Sequence, residues 1–551
     1  MPTSPMASSR SRTAVWLSAA LLLTFLVTGL FGRDPWKADE PYSVGMVLNF
    51  FRGADLIVPH VAADPFVEKP PVMYWSGAIL ARLTHPLLPV FEGAQLAVLA
   101  WLLLAAWAAG RTAQRLYGGG FGWLAAVLMV GSFGAIENVH KLTADIPQLA
   151  GAALALAALV RLAEPGASPR RWGLLLGTGA GLAFLSKGLL VPGVLALTSL
   201  VVIVLPAYRQ RRHAAALGWA FAAALPWVLI WPWLFWQASH PLFIEWFWDN
   251  NFGRFFGFVN LGGGRTSYLS DVGSLVGLTF PAGWLAVGAL VAQLRQGGLR
   301  ELCAERPAIV MLWIYAVLFV ATLTSSSSIR DIYMLPIFPA LGLLGAGVRL
   351  PTWLEKVWAG AAIVLLSLPG LWAWVRWGLM IAGQGHVGAG PLGKWLPLDY
   401  PLEFHPALVA GAVVVSGLWI AAIVHRRALG ALMLGFAGLM FVWGTLSTLL
   451  LPWVNAARGY SVPFHAMRAA LPPHGCVAEF NVGESERAML DYYADVRPVR
   501  LASADTPTEC RTLIVLDKAA RRIAPPEGWA QVWEGGRPAD NNERFRVFVR
   551  P

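Results

Sequence analysis

The stretch TAVWLSAALLLTFLVTGLF, residues 13–31, decides the fold class, because about 20 mostly apolar residues in a row span a lipid bilayer. Arg10 and Arg12 precede it as in a signal peptide. The run is too long for a typical signal sequence and lacks a clear A-x-A cleavage site, so we interpret it as a retained first helix. The chain as a whole is 57% hydrophobic and only 13% charged. This composition excludes soluble, disordered and collagen-like classes and predicts a polytopic α-helical membrane protein.

Further apolar stretches repeat this pattern and predict about 13 transmembrane helices in total. After 13–31 they cover residues 93–110, 121–137, 143–163, 172–186, 188–206, 214–236, 273–294, 307–324, 332–348, 354–379, 407–425 and 429–451. Residues 72–84 are also apolar but too short to span easily, which is typical of an interfacial helix.

Basic residues predict the orientation of these helices. The net charge of +11 would suggest a nucleic-acid partner in a soluble protein, but in membrane proteins Arg and Lys collect in cytoplasmic loops. With the N-terminus inside, every second loop is basic and holds Arg111, Arg115, Arg161, Arg170, Arg171, Arg209, Arg211, Arg212, Arg295, Arg300, Arg306, Arg349, Lys356, Arg426 and Arg427. We therefore expect a bacterial inner-membrane protein that binds no nucleic acid and whose C-terminus lies in the periplasm.

The composition changes near residue 454. Residues 1–453 form the predicted transmembrane domain, with a long first periplasmic loop at 32–92, and residues 454–551 form a predicted soluble periplasmic α/β domain. Its strand patterns lie at 476–480, 512–516 and 544–549, and its helical pattern at 484–493. Cys476 and Cys510 each begin a strand pattern, which is compatible with a disulfide or with two buried thiols. Cys303 falls on the cytoplasmic side and is expected to be inert.

The loops predicted to face outward carry a small set of ionisable residues. They include Asp39, Glu40, Glu68, Lys69, Asp145, Lys187, Arg254 and Arg330, with Tyr333 beside the last. Charges at a membrane are costly unless paired or solvated, so they are functional candidates. Each has a simpler reading alone: the acids as helix caps, Lys69 as a snorkelling lysine, Lys187 as a turn cation, and Arg254 as a headgroup anchor. HExxH, GxSxG, P-loop and CxxC patterns are absent from the sequence, which leaves hydrolase, ATPase and redox functions unsupported.

Taken together, these residues predict a definite chemistry. A transfer reaction with a lipid-phosphate leaving group needs a carboxylate that accepts a proton from the acceptor, which Asp39 supplies. It also needs cations around the departing phosphate, which Lys69, Arg254, Arg330 and Lys187 supply. The hydroxyl of Tyr333 is suited to donate a hydrogen bond to a phosphate oxygen.

The same residues lie in motifs that resemble a known family. The segments ADEPYSVGM (38–46), PFVEKPPVMYW (65–75), LTADIP (142–147) and LSKGL (185–189) are similar, in this order, to GT-C superfamily glycosyltransferases that use polyprenyl-phosphate sugars. The closest resemblance is to the lipid A aminoarabinose transferases and the related protein O-mannosyltransferases (families 39 and 83). The resemblance covers most of the membrane portion and implies a GT-C fold with an external C-terminal α/β domain.

The resemblance also implies roles for individual residues. Asp39 is the implied catalytic carboxylate, with Asp145 and Glu40 as further acids, and Glu68 organises the loop. The implied phosphate-binding residues are Lys69, Arg254, Arg330, Tyr333 and Lys187. No cofactor is certain. Aminoarabinose transferases can bind a divalent metal through the glutamate that corresponds to Glu68 and through a loop histidine. Here Asn250 and Asn251 stand where that histidine is expected, which argues against a metal.

The sequence thus predicts an inverting glycosyltransferase that moves a sugar from undecaprenyl phosphate to an envelope acceptor at the periplasmic face. Lipid A, another glycolipid and a protein stay open as acceptors, and the sugar is not identified. The alternatives are protein O-mannosylation, transport of a lipid-linked sugar across the membrane, and binding of such a lipid without catalysis.

Overall fold

The computed structural model describes residues 12–259, 268–327, 329–388, 390, 396, 403–504, 506–518, 522–524, 527–540 and 542–550. The helices of the first half are α1 (Arg12–Val27), α2 (Asp39–Arg52), α3 (Val72–Thr84), α4 (Val90–Tyr117), α5 (Gly122–Val130), α6 (Phe133–Ile136), α7 (Asp145–Leu162), α8 (Pro169–Lys187), α9 (Leu190–Val201), α10 (Arg211–Ala238), α11 (His240–Ile244) and α12 (Arg254–Phe256). A π-helical segment, Glu245–Gly253, joins α11 to α12, and short 3-10 helices occupy Asn138–His140, Val202–Val204 and Asp331–Ile337.

The second half is helical up to a small C-terminal sheet. Its helices are α13 (Tyr268–Leu278), α14 (Ala282–Glu305), α15 (Pro307–Ser325), α16 (Phe338–Ala346), α17 (Thr352–Ile381), α18 (Pro406–Val424), α19 (Arg426–Leu429), α20 (Ala431–Leu449), α21 (Leu451–Arg458), α22 (Ser461–Ala470) and α23 (Glu484–Ala494). The strands of the chain are β1 (His60–Val61), β2 (Asp64–Pro65), β3 (Val477–Phe480), β4 (Val499–Arg500), β5 (Thr512–Lys518), β6 (Ala530–Gly535) and β7 (Glu543–Val549).

The chain is a multi-pass membrane protein. Within the described residues, seven helices are long and apolar enough to cross a bilayer: α4, α7, α10, α15, α17, α18 and α20. A pair bent by 74° over residues 122–140 makes up to eight, and three shorter apolar helices cover Arg12–Val27, Leu190–Val204 and Asp331–Ala346. The predicted number of about 13 spans therefore includes short and bent helices together with α8 and α14.

Two predicted spans are broken: residues 121–137 hold α5 and α6 at the 74° bend, and residues 273–294 are interrupted as well. Residues 273–294 are not a single helix, because α13 ends at Leu278 and α14 begins at Ala282. Pro281 lies in the break, where its ring disfavours a helical conformation of the preceding residue. The short apolar segment 72–84 is a helix over the same residues, namely α3.

Small residues allow α7 and α8 to pack closely side by side. A Cβ atom on Gly151 would lie 2.6 Å from the carbonyl oxygen of Gly179, and one on Gly179 would lie 2.6 Å from the carbonyl oxygen of Gly151. Close backbone approach through glycine is a common way for helices to associate in membranes. Because the two helices run in opposite directions, the first residue of α7, Asp145, and the last of α8, Lys187, lie at the same end of the bundle.

The C-terminal residues form a five-stranded mixed sheet with strand order β4-β3-β5-β7-β6. β3 is parallel to both β4 and β5, whereas β7 is antiparallel to β5 and β6. The predicted strand and helix patterns correspond to β3, β5, β7 and α23, while the short β4 and the edge strand β6 were not predicted. Cys476 and Cys510 form a disulfide bond. The predicted domain boundary at residue 454 stays a prediction.

Candidate active site

Asp39 begins α2 and is held by two side chains. Nη2 of Arg330 donates a hydrogen bond to Oδ2 of Asp39 at 2.6 Å, and the hydroxyl of Tyr42 donates to Oδ1 at 2.8 Å. Burial raises the pKa of Asp39, but the hydrogen bond and charge of Arg330 outweigh it, so that the pKa is lowered overall. Asp39 is therefore ionised at neutral pH, as a carboxylate that accepts a proton must be.

Asp145 and Lys187 form an ion pair beside this carboxylate. Oδ1 of Asp145 contacts Nζ of Lys187, and both side chains are largely buried. The ammonium of Lys187 also lies 4.0 Å from the ring centroid of Tyr333, a cation–π distance. The antiparallel packing of α7 and α8 brings the two charges together, and Gly188, with φ of 91°, ends α8 directly after the lysine.

Glu68, Lys69 and Arg254 form a second charged group. Oε2 of Glu68 lies 3.0 Å from Nζ of Lys69 and 3.3 Å from Nη1 of Arg254. Burial raises the pKa of Glu68, but the charges of Lys69 and Arg254 lower it by more than burial raises it, so the net shift is downward. Glu68 thus holds two cations from distant parts of the chain in one place, as its predicted loop-organising role requires.

Two adjacent cavities bring these groups together. The larger, of about 330 Å³, is lined by Glu68, Lys69, Lys187, Asn250, Asn251, Arg254 and Tyr333 and by apolar residues of α9, the segment 252–256 and α15. The smaller is lined by Asp39, Tyr42, Tyr74, Asp145 and Arg330 and shares Lys69, Lys187 and Tyr333 with the larger. The site is therefore a largely apolar chamber beside a small pocket around Asp39 and Asp145, called the acidic pocket below although Lys69, Lys187 and Arg330 line it as well.

The sequence did not point to every residue of this arrangement. Tyr42 lies three positions after Asp39 on the same helix, and that spacing is a signal that places both on one face. Tyr74, from α3, also lines the acidic pocket, and its hydroxyl group is fully buried with a raised pKa because of burial.

Glu40 has different surroundings from its neighbour Asp39. Its side chain is fully buried, pairs with the equally buried Arg33, and accepts hydrogen bonds at 2.8 Å from the amides of Trp36 and Leu142. Glu40 does not line either of the two cavities described above. The geometry favours a structural role, tying the first loop to the segment before α7, over the catalytic role predicted from the motif.

The segment that carries Asp39 also contacts the C-terminal sheet domain. Nζ of Lys37 lies 2.5 Å from Oε1 of Glu486 and also contacts Glu543, and the hydroxyl of Ser485 donates a 2.9 Å hydrogen bond to the carbonyl oxygen of Ala38. At the other end of α2, Nη1 of Arg52 lies 2.7 Å from Oδ1 of Asp491. Helix α2 is thus held at both ends by α23, which nothing in the sequence indicated.

A divalent metal does not fit the residues around Glu68. Its carboxylate is already neutralised by Lys69 and Arg254, and two cations at this distance would repel a third. Oδ1 of Asn251 accepts a hydrogen bond from the amide of Leu189 at 3.3 Å instead of facing Glu68. Among the described residues, no group of three or more His, Cys, Asp or Glu side chains is arranged to hold a metal ion.

Known proteins resemble this chain in sequence. Residues 68–236 match the family model of the dolichyl-phosphate-mannose-protein mannosyltransferases. An undecaprenyl phosphate-α-4-amino-4-deoxy-L-arabinose arabinosyl transferase of Edwardsiella ictaluri is 28% identical over 261 residues, which are 42% of this chain and 45% of the relative. A protein of the same name from Sodalis glossinidius is 28% identical over 243 residues, 40% of this chain and 41% of that protein. The matched region thus spans less than half of each relative.

Solved structures resemble the chain over nearly its full length. ArnT from Cupriavidus metallidurans, crystallised with undecaprenyl phosphate, superposes with a TM-score of 0.69 at 18% identity and covers 98% of both chains. The same protein in its apo state gives a TM-score of 0.67 over 97% of both chains. The resemblance predicted from the motifs is therefore confirmed, and the chain has the GT-C fold in the form that ArnT adopts.

Proposed function

We propose that the chain is an inverting glycosyltransferase that moves a sugar from a polyprenyl phosphate to an envelope acceptor such as lipid A. The observation that carries this proposal is that a largely apolar cavity and the small pocket of Asp39 share Lys69, Lys187 and Tyr333, so that cations and a carboxylate lie side by side. The aminoarabinose transferase names of the sequence relatives and the undecaprenyl phosphate bound to the ArnT structure support the same donor class.

The larger cavity suits the phosphate and the adjoining isoprene units of the carrier. Its apolar wall, from Leu189, Leu190 and Phe252 among others, accepts hydrocarbon, while Lys69 and Arg254 at its charged end face the phosphate. Arg254 has a buried Nε without a partner in the described part of the chain, so it keeps a donor free for a phosphate oxygen. Lys187 and Tyr333 border both cavities and reach the same phosphate from the other side.

We assign the reaction to the pocket around Asp39, which at about 10 Å³ has room for about one water molecule and therefore has to widen when donor and acceptor bind. Asp39 accepts the proton of the acceptor O–H, and the acceptor oxygen forms a bond to the anomeric carbon. The bond from that carbon to the phosphate oxygen breaks, its electron pair stays on the phosphate, and the cations stabilise the charge. A single displacement inverts the anomeric configuration. Arg330 pairs with Oδ2 of Asp39, and because a carboxylate has about four lone-pair sites, the acceptor hydroxyl can bond to Asp39 beside the arginine.

The proposed location is the bacterial inner membrane, with the N-terminus in the cytoplasm and the site and C-terminal domain in the periplasm. The basic loops support this orientation, and the Cys476–Cys510 disulfide suits an oxidising compartment. A cysteine at the exposed Asp495 should react with a membrane-impermeant maleimide in intact cells once the outer membrane is permeabilised. A cysteine at Arg427 should not react until the inner membrane is opened, and the reverse pattern would reject the orientation.

A protein acceptor is the second candidate, because the family model that matches residues 68–236 is named for protein mannosyltransferases. Mass spectrometry of lipid A, other glycolipids and envelope proteins, from cells with and without the chain, separates the two acceptors and gives the mass of the sugar. A mass change confined to envelope proteins would replace lipid A by protein as the acceptor.

The test of the function itself compares the wild type with Asp39→Asn and with the matched control Asp331→Asn. Asp331 neighbours Arg330, is exposed and lines neither cavity. Proteoliposomes with an undecaprenyl-phosphate sugar and the acceptor found above should lose transfer by about 10²-fold or more for Asp39→Asn. Full activity of Asp39→Asn would reject the catalytic assignment, and movement of the intact donor lipid without sugar transfer would favour a transporter.

A further inference from the structure

A second large cavity, of about 980 Å³, lies at the other end of the helix bundle. Helix α7 connects the two regions, since Asp145 at its start belongs to the candidate active site and Glu164, just after its end, lines the cavity. A helix of 18 residues measures about 27 Å. The cavity is therefore one membrane thickness away from Asp39, at the face predicted to be cytoplasmic.

The lining of this cavity is strongly basic. Arg115, Arg212, Arg306 and Arg349 line it, each at or next to the end of a different helix, with Glu164 and Glu305 as the acids. Glu164 is already engaged by Arg115, at 2.9 Å, and by Arg161, at 2.7 Å. In the part of the chain that the structure describes, Arg212, Arg306 and Arg349 form no ion pair, so three arginines line the cavity without an acidic partner.

Two helix N-termini add to this positive field. Helix α10 begins at Arg211 and α15 at Pro307, and residues of both first turns line the cavity. Neither N-terminus has a side-chain cap. Uncapped N–H groups and the positive end of the helix dipole attract anions. An arginine at the start of α10 opposes that helix's own dipole, which indicates that Arg212 is not there to stabilise the helix.

The cavity also contains buried polar atoms without a partner and apolar walls. The hydroxyl of Tyr117 and Nε of Arg212 are buried and have no hydrogen-bond partner among the described residues, which is costly unless a ligand accepts from them. Leu116, Phe121 and Ile309 line the same space with hydrocarbon. The ligand that satisfies all of these groups is an anion attached to an apolar chain.

We propose that this cavity binds the phosphate headgroup of an anionic phospholipid from the surrounding leaflet. Basic pockets between transmembrane helices on the cytoplasmic side are suited to such headgroups. Inorganic phosphate shares the headgroup chemistry, but the apolar walls and the position at the helix ends favour a lipid. This site shares no lining residue with the candidate active site, so the proposal does not depend on the glycosyltransferase function.

The test measures lipid retained by purified full-length protein. Native mass spectrometry compares the wild type with the double variant Arg212→Gln/Arg306→Gln and with a control double variant, Arg211→Gln/Arg300→Gln. The control removes the same charge from exposed arginines that do not line the cavity. Each protein is titrated with dioleoylphosphatidylglycerol, with dioleoylphosphatidylcholine and with inorganic phosphate, and its thermal unfolding confirms that it is folded.

The wild type and the control should bind phosphatidylglycerol in preference to phosphatidylcholine. The Arg212→Gln/Arg306→Gln protein should bind phosphatidylglycerol about 10- to 30-fold more weakly, because two cations of the cavity lining are lost. Equal phosphatidylglycerol binding by the two double variants would overturn the proposal. Inorganic phosphate that binds as well as the lipid, or displaces it at equal concentration, would overturn the lipid as the ligand.

Discussion

The guanidinium group of Arg330 donates a 2.6 Å hydrogen bond to the carboxylate of Asp39, although the two residues are 291 positions apart in the chain. Arg330 in turn has a raised pKa: burial lowers it, but the hydrogen bond and charge of Asp39 raise it by more. The pair therefore consists of a permanent cation and a carboxylate that this cation keeps ionised. Its first consequence is a pH dependence.

Replacing Arg330 by Gln should move the acidic limb of the pH–activity profile to higher pH. The proposed base works only when ionised, so activity falls as the pH drops through the pKa of Asp39. In the variant, burial still raises this pKa while the opposing cation is gone, and the limb shifts upward. Arg330→Lys puts a cation back beside Asp39 and should reverse part of this upward shift. Arg254→Gln serves as the control, because Arg254 contacts Glu68 and not Asp39.

The same pair affects stability, with a definite sign. The folded-state pKa of Asp39 is lowered, so the Asp39–Arg330 pair stabilises the fold above the unfolded pKa and loses this effect as the pH falls through the folded value. Thermal unfolding of the wild type and Arg330→Gln should therefore differ most near neutral pH and converge in acid. In the activity experiment, an acidic limb that stays at the same pH in Arg330→Gln would contradict the assignment of Asp39 as the titrating base.

Replacing Lys69 by Ala should weaken use of the lipid donor. Like Lys187, Lys69 borders both the proposed phosphate position and the acidic pocket. We expect the KM for donor to rise about 10- to 100-fold, the effect of one charge-assisted hydrogen bond. Lys141→Ala is the matched control, because Lys141 pairs with Glu137 and lines neither cavity. An unchanged KM in Lys69→Ala would remove this residue from the donor site.

Replacing Glu40 by Gln separates structure from catalysis. The Glu40–Arg33 pair is fully buried, and leaving Arg33 without its partner should reduce the free energy of unfolding by about 3–5 kcal/mol. The protein that remains folded should keep kcat, since Glu40 does not line the acidic pocket. Chemical denaturation and kinetics normalised to folded protein measure both effects. Normal stability combined with lost kcat would restore Glu40 to the catalytic acids.

Replacing Lys37 by Met tests whether the C-terminal domain positions Asp39. Burial raises the pKa of Glu486, but the charge and hydrogen bond of Lys37 lower it by more, so the net pKa is lowered and the carboxylate is ionised. Without Lys37, Glu486 loses its cation while Glu543 stays paired with Arg537, and the segment before Asp39 loses its ion pairs with the C-terminal domain but keeps the hydrogen bond from Ser485. We expect kcat to fall with little change in the KM for donor.

Two further variants control for this prediction. Lys37→Arg keeps the charge and should recover most of kcat. Lys518→Met removes an exposed lysine from β5 in the same domain and should leave kcat unchanged. A KM effect equal to the kcat effect in Lys37→Met would indicate that Lys37 acts on donor binding rather than on the position of Asp39.

Residues that lie in motifs were predictable from the sequence, and their partners were not. Asp39, Lys69, Asp145, Lys187, Arg254 and Arg330 all lie at the two adjacent cavities, because the loop order already places them on one face. Their pairing depends on helix packing. Asp145 meets Lys187 only because Gly151 and Gly179 let α7 and α8 approach each other, and such tertiary contacts have no local signature.

The motif predicts a catalytic role for Glu40, and the burial of its side chain against Arg33 explains why the geometry favours a structural one. Asp39 and Glu40 are adjacent and chemically alike, yet a turn of 100° along the helix directs one into the pocket and the other against Arg33. The break at Pro281 did have a local signal, namely the proline itself, but the apolar run on both sides concealed it. The contacts of α23 with Lys37 and Ala38 join residues about 450 positions apart, beyond the reach of any sequence pattern.

The contact between Lys37 and Glu543 has a consequence for synthesis of the protein. The two residues are 506 positions apart, so at about 5–20 residues per second the ribosome needs roughly 25–100 s to deliver the second after the first. During that time the segment around Asp39 lacks this ion pair. The contact can therefore form only after the final strand has been synthesised, and a chain terminated before Glu543 would lack it.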